Sequence, residues 1–520
     1  MNGRIRSIRF RFAVTAVATL LRSGISFLTG LVIAKTLGPD EYGNYMFLTG
    51  SFVALQLLLD LGTSSAFYTF LCQRTRSTKF ILAYLAWQSA GLVVSLIAIR
   101  FILPQSIIKS LWLNHDNGLI LLALVAVFFQ QQIWISVNRI GESSRLSQTV
   151  QMVSLFVAIV QLGFISLASF NHCLSIRLIF SLIALEFFLA VLVSLALTLK
   201  PKERPVEPTD WKLWFREYRI YCTPLIVYGG VGFIYAFSDN WLLQRFGGAK
   251  QQGFYSIANQ LSALSLLATT ALLNIFWKEF TEAHEKNDTE RLSQIFSKTS
   301  KFLFFVATTI SVFCVSWASE IILILLGKAF SAGTIPFTIM LFYPIYQCLG
   351  QITGIAFYAT SKTKAYVSLG MVMMGISIPL SYLLQAAPTE RIPGWGLGAT
   401  GLALKMVFLN VIGVNLQIWL LAKNIPVRFG WKYQVLVLGG GLAVSDLCRR
   451  IGSLTYSIWP RLLGSAGENP YLFLPPILIS GFLYGLIIMS TLFYFPQLAG
   501  LNRDDLGAVK RAFKAINRFG

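Results

Sequence analysis

Long apolar runs constrain this chain more than any other feature. Stretches of about 20 or more apolar residues recur along the 520 residues, separated by short polar breaks, and a helix of about that length crosses the hydrocarbon core of a bilayer. None of them shows the alternating pattern of a membrane barrel strand. Hydrophobic residues make up 55% of the chain and charged residues only 12%, about half the share in soluble proteins. The sequence therefore predicts an all-α polytopic membrane protein.

A polar interruption occurs twice at equivalent places. Residues 33–45 read IAKTLGPDEYGNY and residues 243–255 read LQRFGGAKQQGFY. An offset of about 210 residues superposes the two segments, which indicates an internal repeat. The superposed pairs are Lys35 with Arg245, Gly38 with Gly248, Gly43 with Gly253 and Tyr45 with Tyr255.

The repeat predicts the domain organisation. We expect about fourteen transmembrane helices, with six in each copy, and an even number of crossings gives the copies parallel orientation. The predicted parts are an N-terminal six-helix lobe at 1–199, a cytoplasmic linker at 200–219, a C-terminal six-helix lobe at 220–425, and two additional helices with a cytoplasmic tail at 426–520.

The first interruption is predicted to be an external hairpin. Gly38 can adopt the positive φ that ends a helix, and Pro39 cannot continue that helix but can begin the next one. A turn alone explains these residues. The basic side chains of Lys35 and Arg245 leave a second role open, in contact with solute at the outer mouth.

The net charge of +21 follows the positive-inside rule. Most Lys and Arg residues fall in loops on the side of the N-terminus, which is the pattern of cytoplasmic loops. Both termini are therefore expected in the cytoplasm, and no nucleic-acid partner is needed to explain the charge. The six cysteines are isolated, which indicates neither disulfides nor a metal site, and there is no P-loop motif. We expect no cofactor.

Arg22 is the clearest ionisable residue inside a span. Thr15, Thr19, Arg22, Ser26 and Thr29 recur at helical spacing and share one face. Charged residues in membrane spans are costly, so they suggest function by default. Two explanations remain open: Arg22 lines a substrate cavity, or it pairs with a buried carboxylate.

Lys405 presents a similar choice in the predicted twelfth span. Gly398 and Gly401 lie on the same side, and small residues there allow either close helix packing or a wide lumen. We expect Lys405, like Arg22, to contact an anionic substrate.

Three carboxylates inside spans are candidates for ion coupling: Asp60, Asp239 and Glu186. A membrane carboxylate that gains and loses a cationic neighbour can bind and release protons. The alternative is that the aspartates are static partners of Arg22 or Arg245.

Aromatic and amide side chains form polar faces on two other spans. Tyr228 and Tyr235 share one face of the seventh span, and Gln347 and Tyr358 share one face of the tenth. Such groups suit sugars, which offer apolar C–H faces and hydroxyls, although aromatic stripes also arise from ordinary packing.

Several segments in this order resemble the Wzx-type polysaccharide transporters, from about residue 8 to residue 425. They are AKTLGPDEYGNY, FSDNWLLQRFGG followed by QGFYSIANQL, ILILLGKAFSAG, and ATSKTKAY followed by GLGATGLAL. That family belongs to the superfamily of multidrug antiporters and lipid II flippases. It commonly has arginine where this chain has Lys35, so the resemblance supports no arginine-specific role there.

The resemblance implies a flippase of a bacterial inner membrane. Its substrate would be an oligosaccharide linked through pyrophosphate to a polyprenol, and its partners membrane lipids and other glycan-assembly membrane proteins. A lipid II-type flippase or a multidrug antiporter of the same superfamily is the alternative. A glycosyltransferase or polymerase would need acidic residues in a sizeable external loop, which the sequence lacks; we therefore do not expect an enzyme.

Overall fold

The protein is helical throughout the part that the structure describes. The computed structural model describes residues 2–74, 76–199, 210–360, 362–423, 425, 429–455 and 470–501. No strand occurs in these ranges.

The α-helices are numbered in chain order. They are α1 Asn2–Asp60, α2 Thr63–Gln73, α3 Thr78–Ile97, α4 Gln105–Leu111, α5 Asn117–Val127, α6 Trp134–Ser143, α7 Ser147–Phe170, α8 Ile176–Thr198, α9 Trp211–Ser262, α10 Leu264–Glu285, α11 Thr289–Ser316, α12 Ala318–Leu326, α13 Thr334–Met340, α14 Tyr343–Ala359, α15 Thr363–Gln385, α16 Gly398–Ala422, α17 Trp431–Leu454 and α18 Leu474–Tyr494. Two π-helical segments, Ala98–Ile102 and Phe128–Ile133, follow α3 and α5 directly.

The two predicted interruptions are confirmed, and they have the same backbone geometry. Gly38 in α1 has φ 74° and ψ 174°, and Gly248 in α9 has φ 78° and ψ 175°. Helical hydrogen bonding resumes directly after each glycine, with Pro39 at the start of the second arm of α1, a position where its missing N–H costs nothing. Each long helix is therefore two helical arms joined at a glycine.

The expected all-α membrane architecture is confirmed, but the number of fourteen spans is not. Ten helices in the described ranges are long and apolar enough to cross a membrane, or eleven if Trp211–Thr223 and Leu225–Leu266, which meet at a bend of 55°, form one span. That number takes Val17–Asp60 as one span of 44 residues. Such a helix would be about 66 Å long, twice the thickness of the hydrocarbon core, and the break at Gly38 divides it.

The chain divides into two compact units. The first comprises Met1–Gly253 with Ser381–Gly398, and the second comprises Phe254–Leu380 with Ala399–Gly520. Both cores contain aromatic side chains: Phe67 stacks on Tyr84 in the first, with ring centroids 4.0 Å apart, and Phe304 belongs to a mainly aliphatic cluster in the second.

The predicted linker at 200–219 lies partly outside the described residues. In its second half α9 begins at Trp211, after Asp210, which accepts hydrogen bonds from the N–H groups of Lys212 and Leu213. The predicted cytoplasmic tail after residue 501 also lies outside the described residues.

The C-terminal helices are part of the second unit. Arg449 of α17 pairs with Glu320 of α12 at 2.8 Å and lies over the ring of Trp317. The hydroxyl of Tyr484 in α18 donates to the Thr309 carbonyl. Arg449 lies in the last turns of α17, and the Glu320 carboxylate with which it pairs is largely buried.

Candidate functional site

The two glycine-broken hairpins contact each other within the first unit. A Cβ on Gly43 would overlap the carbonyl oxygen of Ala249, and a Cβ on Gly253 would overlap the carbonyl oxygen of Pro39. Gly43 is equivalent to Gly253 in the repeat, and Pro39 is equivalent to Ala249. The contact is therefore reciprocal, as in a two-fold interface, and only glycine allows the backbones to come so close.

The basic residues of the hairpins lie at the surface. Lys35 and Arg245 are both exposed, and the guanidinium of Arg245 lies 5.2 Å from the ring centroid of Trp241. Beside them the amide of Gln244 donates to the side-chain oxygen of Asn44 at 2.9 Å, which links the hairpins a second time. A role for Lys35 and Arg245 at an outer mouth stays a prediction.

Arg22 has no charged partner among the residues that the structure describes. Its side chain is partly exposed, while its Nε is buried and has no hydrogen-bond partner there. The hydroxyls of its neighbours are not free donors, because Thr19 and Thr29 donate to the carbonyls of Thr15 and Ile25 in their own helix. Within the described ranges, no carboxylate makes Arg22 one half of a buried pair.

Lys405 and Asp239 are each buried and bonded to a serine of α15. The Lys405 ammonium, with no exposed surface, donates to the Ser377 hydroxyl at 2.9 Å within the second unit. In the first unit the Ser381 hydroxyl donates to the Asp239 carboxylate at 2.5 Å. Both serines give an ionised group a polar neighbour, which lowers the cost of its burial.

Asp60 has a local role at the start of α2. Its carboxylate accepts from the Ser64 N–H at 3.0 Å and from the hydroxyls of Thr63 and Ser64. These bonds satisfy donors at the first turn of a helix and place negative charge at its positive end. A role for Asp60 in ion coupling stays a prediction.

Glu186 is the most unusual of the three carboxylates. Both of its oxygens are buried in α8 with no hydrogen-bond partner among the described residues. Helix α8 packs against α5 and against the π-helical segment Phe128–Ile133, and π-segments are frequent at functional sites. At the end of α5 the Gln56 amide donates to the Val127 carbonyl at 3.0 Å.

The predicted sugar-binding side chains are dispersed. Tyr228 and Tyr358 are exposed, and Tyr235 and Gln347 are half-buried. Tyr358 stacks on Trp277 with ring centroids 6.2 Å apart. Their contact with a sugar stays a prediction.

Sequence reasoning missed a buried ion pair near the start of α3. Arg76 is 2% exposed and donates to Glu217 of α9 at 2.8 Å, and its guanidinium lies over the rings of Phe70 and Phe80. The partners are 141 residues apart. The only sequence signal is an arginine and a glutamate in two aromatic-rich segments.

Comparison with known families identifies the chain. The family model described as "Polysaccharide biosynthesis protein" matches residues 11–273, just over half of the 520 residues. The chain belongs to this family. No curated protein is similar in sequence at a significant level.

Solved structures show which fold this polysaccharide biosynthesis protein adopts. The "Lipid II flippase MurJ, inward closed conformation" superposes with a TM-score of 0.67 at 14% identity, covering 94% of this chain and 100% of that one. An inward-facing and an outward-facing "multidrug resistance MATE family transporter of the MOP superfamily" give TM-scores of 0.53 and 0.54 at 12% identity. They cover 79% and 80% of this chain and 98% and 95% of theirs. The fold that the resemblance implies is thus confirmed.

Proposed function

We propose that this protein is a flippase that moves a polyprenyl-pyrophosphate-linked oligosaccharide from the cytoplasmic to the external leaflet of a bacterial inner membrane. Family membership connects the chain to polysaccharide biosynthesis. The fold is one that alternating-access transporters adopt. The charge of the loops favours both termini in the cytoplasm.

Arg22 is the observation that carries the proposal. A guanidinium in a membrane helix is costly, and it remains costly while its Nε has no hydrogen-bond partner among the described residues. An anionic substrate would supply that partner. A pyrophosphate head is such an anion, and it could not cross the hydrocarbon without a cation to replace its hydration.

The same charge argues against a drug-cation antiporter. A lumen that presents Arg22 would repel an organic cation, and Glu186, an acidic residue that could attract one, is buried. A lipid II-type flippase carries the same pyrophosphate linkage, and the family match to polysaccharide biosynthesis favours a longer glycan as substrate.

The test is export in a bacterial strain that lacks its own transporter for the glycan. Arg22→Gln should reach normal membrane abundance yet lower surface glycan at least about ten-fold, the effect of about 1.4 kcal/mol. Arg22→Lys should keep part of the export, since charge matters more here than a bidentate fork. Arg100→Gln, a change of an exposed arginine after α3, is the matched control and should export normally.

Two results would contradict this role. Normal export by Arg22→Gln would show that no cation is needed there. Loss of the protein in Arg22→Gln would indicate a packing role for the arginine, with the neutral side chain leaving a buried partner uncompensated.

A further inference from the structure

An aromatic cavity lies in the first unit, and Phe80, whose ring lies under the Arg76 guanidinium, is one of its walls. It has a volume of about 410 Å³, within the range of small-molecule sites. Aromatic rings supply seven of its nine lining residues: Phe80, Tyr84, Trp87, Trp211, Trp214, Phe215 and Tyr218, with Thr63 and Ala83. Nothing in the proposed transport path uses this cavity.

The walls present ring faces and few polar atoms. The Nε1 of Trp214 and the hydroxyl of Tyr218 are buried without a hydrogen-bond partner among the described residues, although such groups normally find one. Phe80 meets Trp214 edge to face, with ring centroids 5.0 Å apart. The rest of the lining is apolar, so most of a ligand that suits these walls is an apolar chain.

The mouth of the cavity lies at the surface. Trp87, Trp211 and Phe215 are 64%, 60% and 71% exposed, and amphipathic aromatic rings collect where a membrane meets water. Thr63 lies just beyond Asp60, at the end of the second arm of α1 opposite to Gly38. With the hairpins external, this end is cytoplasmic.

Basic side chains adjoin four of the lining residues in the sequence. Lys79, Lys212, Arg216 and Arg219 are exposed, and none of them forms an ion pair within the described ranges. The acidic side chain between them, Glu217, is already bonded to Arg76. Unpaired cations beside an apolar cavity are complementary to an amphiphile with an anionic head.

We propose that this cavity binds the isoprenoid chain of a polyprenyl phosphate lipid in the cytoplasmic leaflet, with the phosphate held by basic side chains that neighbour the lining residues in the sequence. The inference rests on the proposed function for the identity of the lipid. A polyprenyl chain fits aromatic walls better than a fatty acyl chain does. Its double bonds remove rotatable bonds, so less conformational freedom is lost on binding, and its methyl branches pack against ring faces.

Filling the cavity tests the proposal. Ala83 lines it, whereas Ala86 is exposed on the same helix. With purified full-length protein, a long-chain polyprenyl monophosphate is titrated and bound lipid is measured by native mass spectrometry. Ala83→Phe should weaken binding about ten-fold or more, and Ala86→Phe should bind as the unchanged protein does.

A second variant keeps the test valid if Ala83→Phe fails to fold. Trp87→Ala removes an exposed wall of the cavity and should also weaken binding, whereas Phe101→Ala, at a 78% exposed ring after α3, should not. Dioleoyl phosphatidylglycerol in excess should fail to displace the polyprenyl lipid. The proposal would be overturned if Ala83→Phe and Trp87→Ala both bind the polyprenyl lipid as tightly as the unchanged protein does. Displacement of the polyprenyl lipid by phosphatidylglycerol would also overturn it.

Binding and export separate the two proposals. If the unchanged protein binds the polyprenyl lipid but exports no glycan, the site stands and the flippase function fails. If it exports glycan while the filled variant binds the lipid undiminished, only this site is refuted.

Discussion

Individual carboxylates in this protein differ in what their surroundings provide. Asp60 accepts three hydrogen bonds from the first turn of α2, whereas neither oxygen of Glu186 has a partner among the described residues. An ionised carboxylate without partners costs several kcal/mol in a dry interior, and a neutral one costs much less. Glu186 is therefore the better candidate for a group that gains a proton in one state and releases it in another.

The residue-scale prediction compares these two carboxylates. Glu186→Gln replaces the carboxyl group by an amide of the same shape that cannot exchange a proton, so the melting temperature should change little while glycan export loses its dependence on the proton gradient. Asp60→Ala should lower the free energy of unfolding by about 0.5–2 kcal/mol, since it removes a helix cap. Export would be followed with and without a protonophore. If the protonophore lowers export by Glu186→Gln as much as export by the unchanged protein, the coupling role is refuted.

At the scale of elements, the glycines of the repeat determine how closely the two hairpins pack. Gly43 and Gly253 have neighbouring backbone where a Cβ would stand. Gly43→Ala and Gly253→Ala should each lower the free energy of unfolding by about 1–3 kcal/mol or more, as overpacking does. A Cβ on Gly24, in the first arm of α1, would meet no atom within 4 Å, so Gly24→Ala is the matched control. Melting temperatures of the purified variants measure the difference, and equal values for Gly43→Ala and Gly24→Ala would contradict the close contact.

Features that depend only on residues close together in the chain could be predicted from the sequence. Apolar length predicted membrane helices, and glycine followed by proline predicted the break at Gly38. The capping role of Asp60 could also have been read locally, from the run DLGTSS at 60–65, where an acid precedes small hydroxyl residues at a helix start.

Features that join distant segments could not be predicted in this way. Repeat alignment paired Gly43 with Gly253, but it does not say that each packs on the partner hairpin's backbone. The Arg76–Glu217 pair and the aromatic cavity unite the region around α3 with the start of α9, more than a hundred residues away. Periodicity within one helix carries no information about such partners.

At the scale of the whole molecule, the distribution of basic loops predicts orientation. In a background without the six cysteines, Asn287→Cys should be protected from an impermeant maleimide in intact cells, and Ser331→Cys should be labelled. Both positions are exposed, so the membrane alone decides access. Labelling of position 287 with protection of position 331 would reverse the assigned orientation.

Translocation in reconstituted vesicles tests the central claim most directly. The purified protein is placed in liposomes with a polyprenyl-pyrophosphate-linked oligosaccharide confined to the inner leaflet, and glycan reaching the outer leaflet is measured with an impermeant lectin. The unchanged protein and Arg100→Gln should expose the glycan many times faster than empty liposomes, whereas Arg22→Gln should not. Equal rates in empty liposomes and in those holding the unchanged protein, under an imposed proton gradient of either direction, would contradict it.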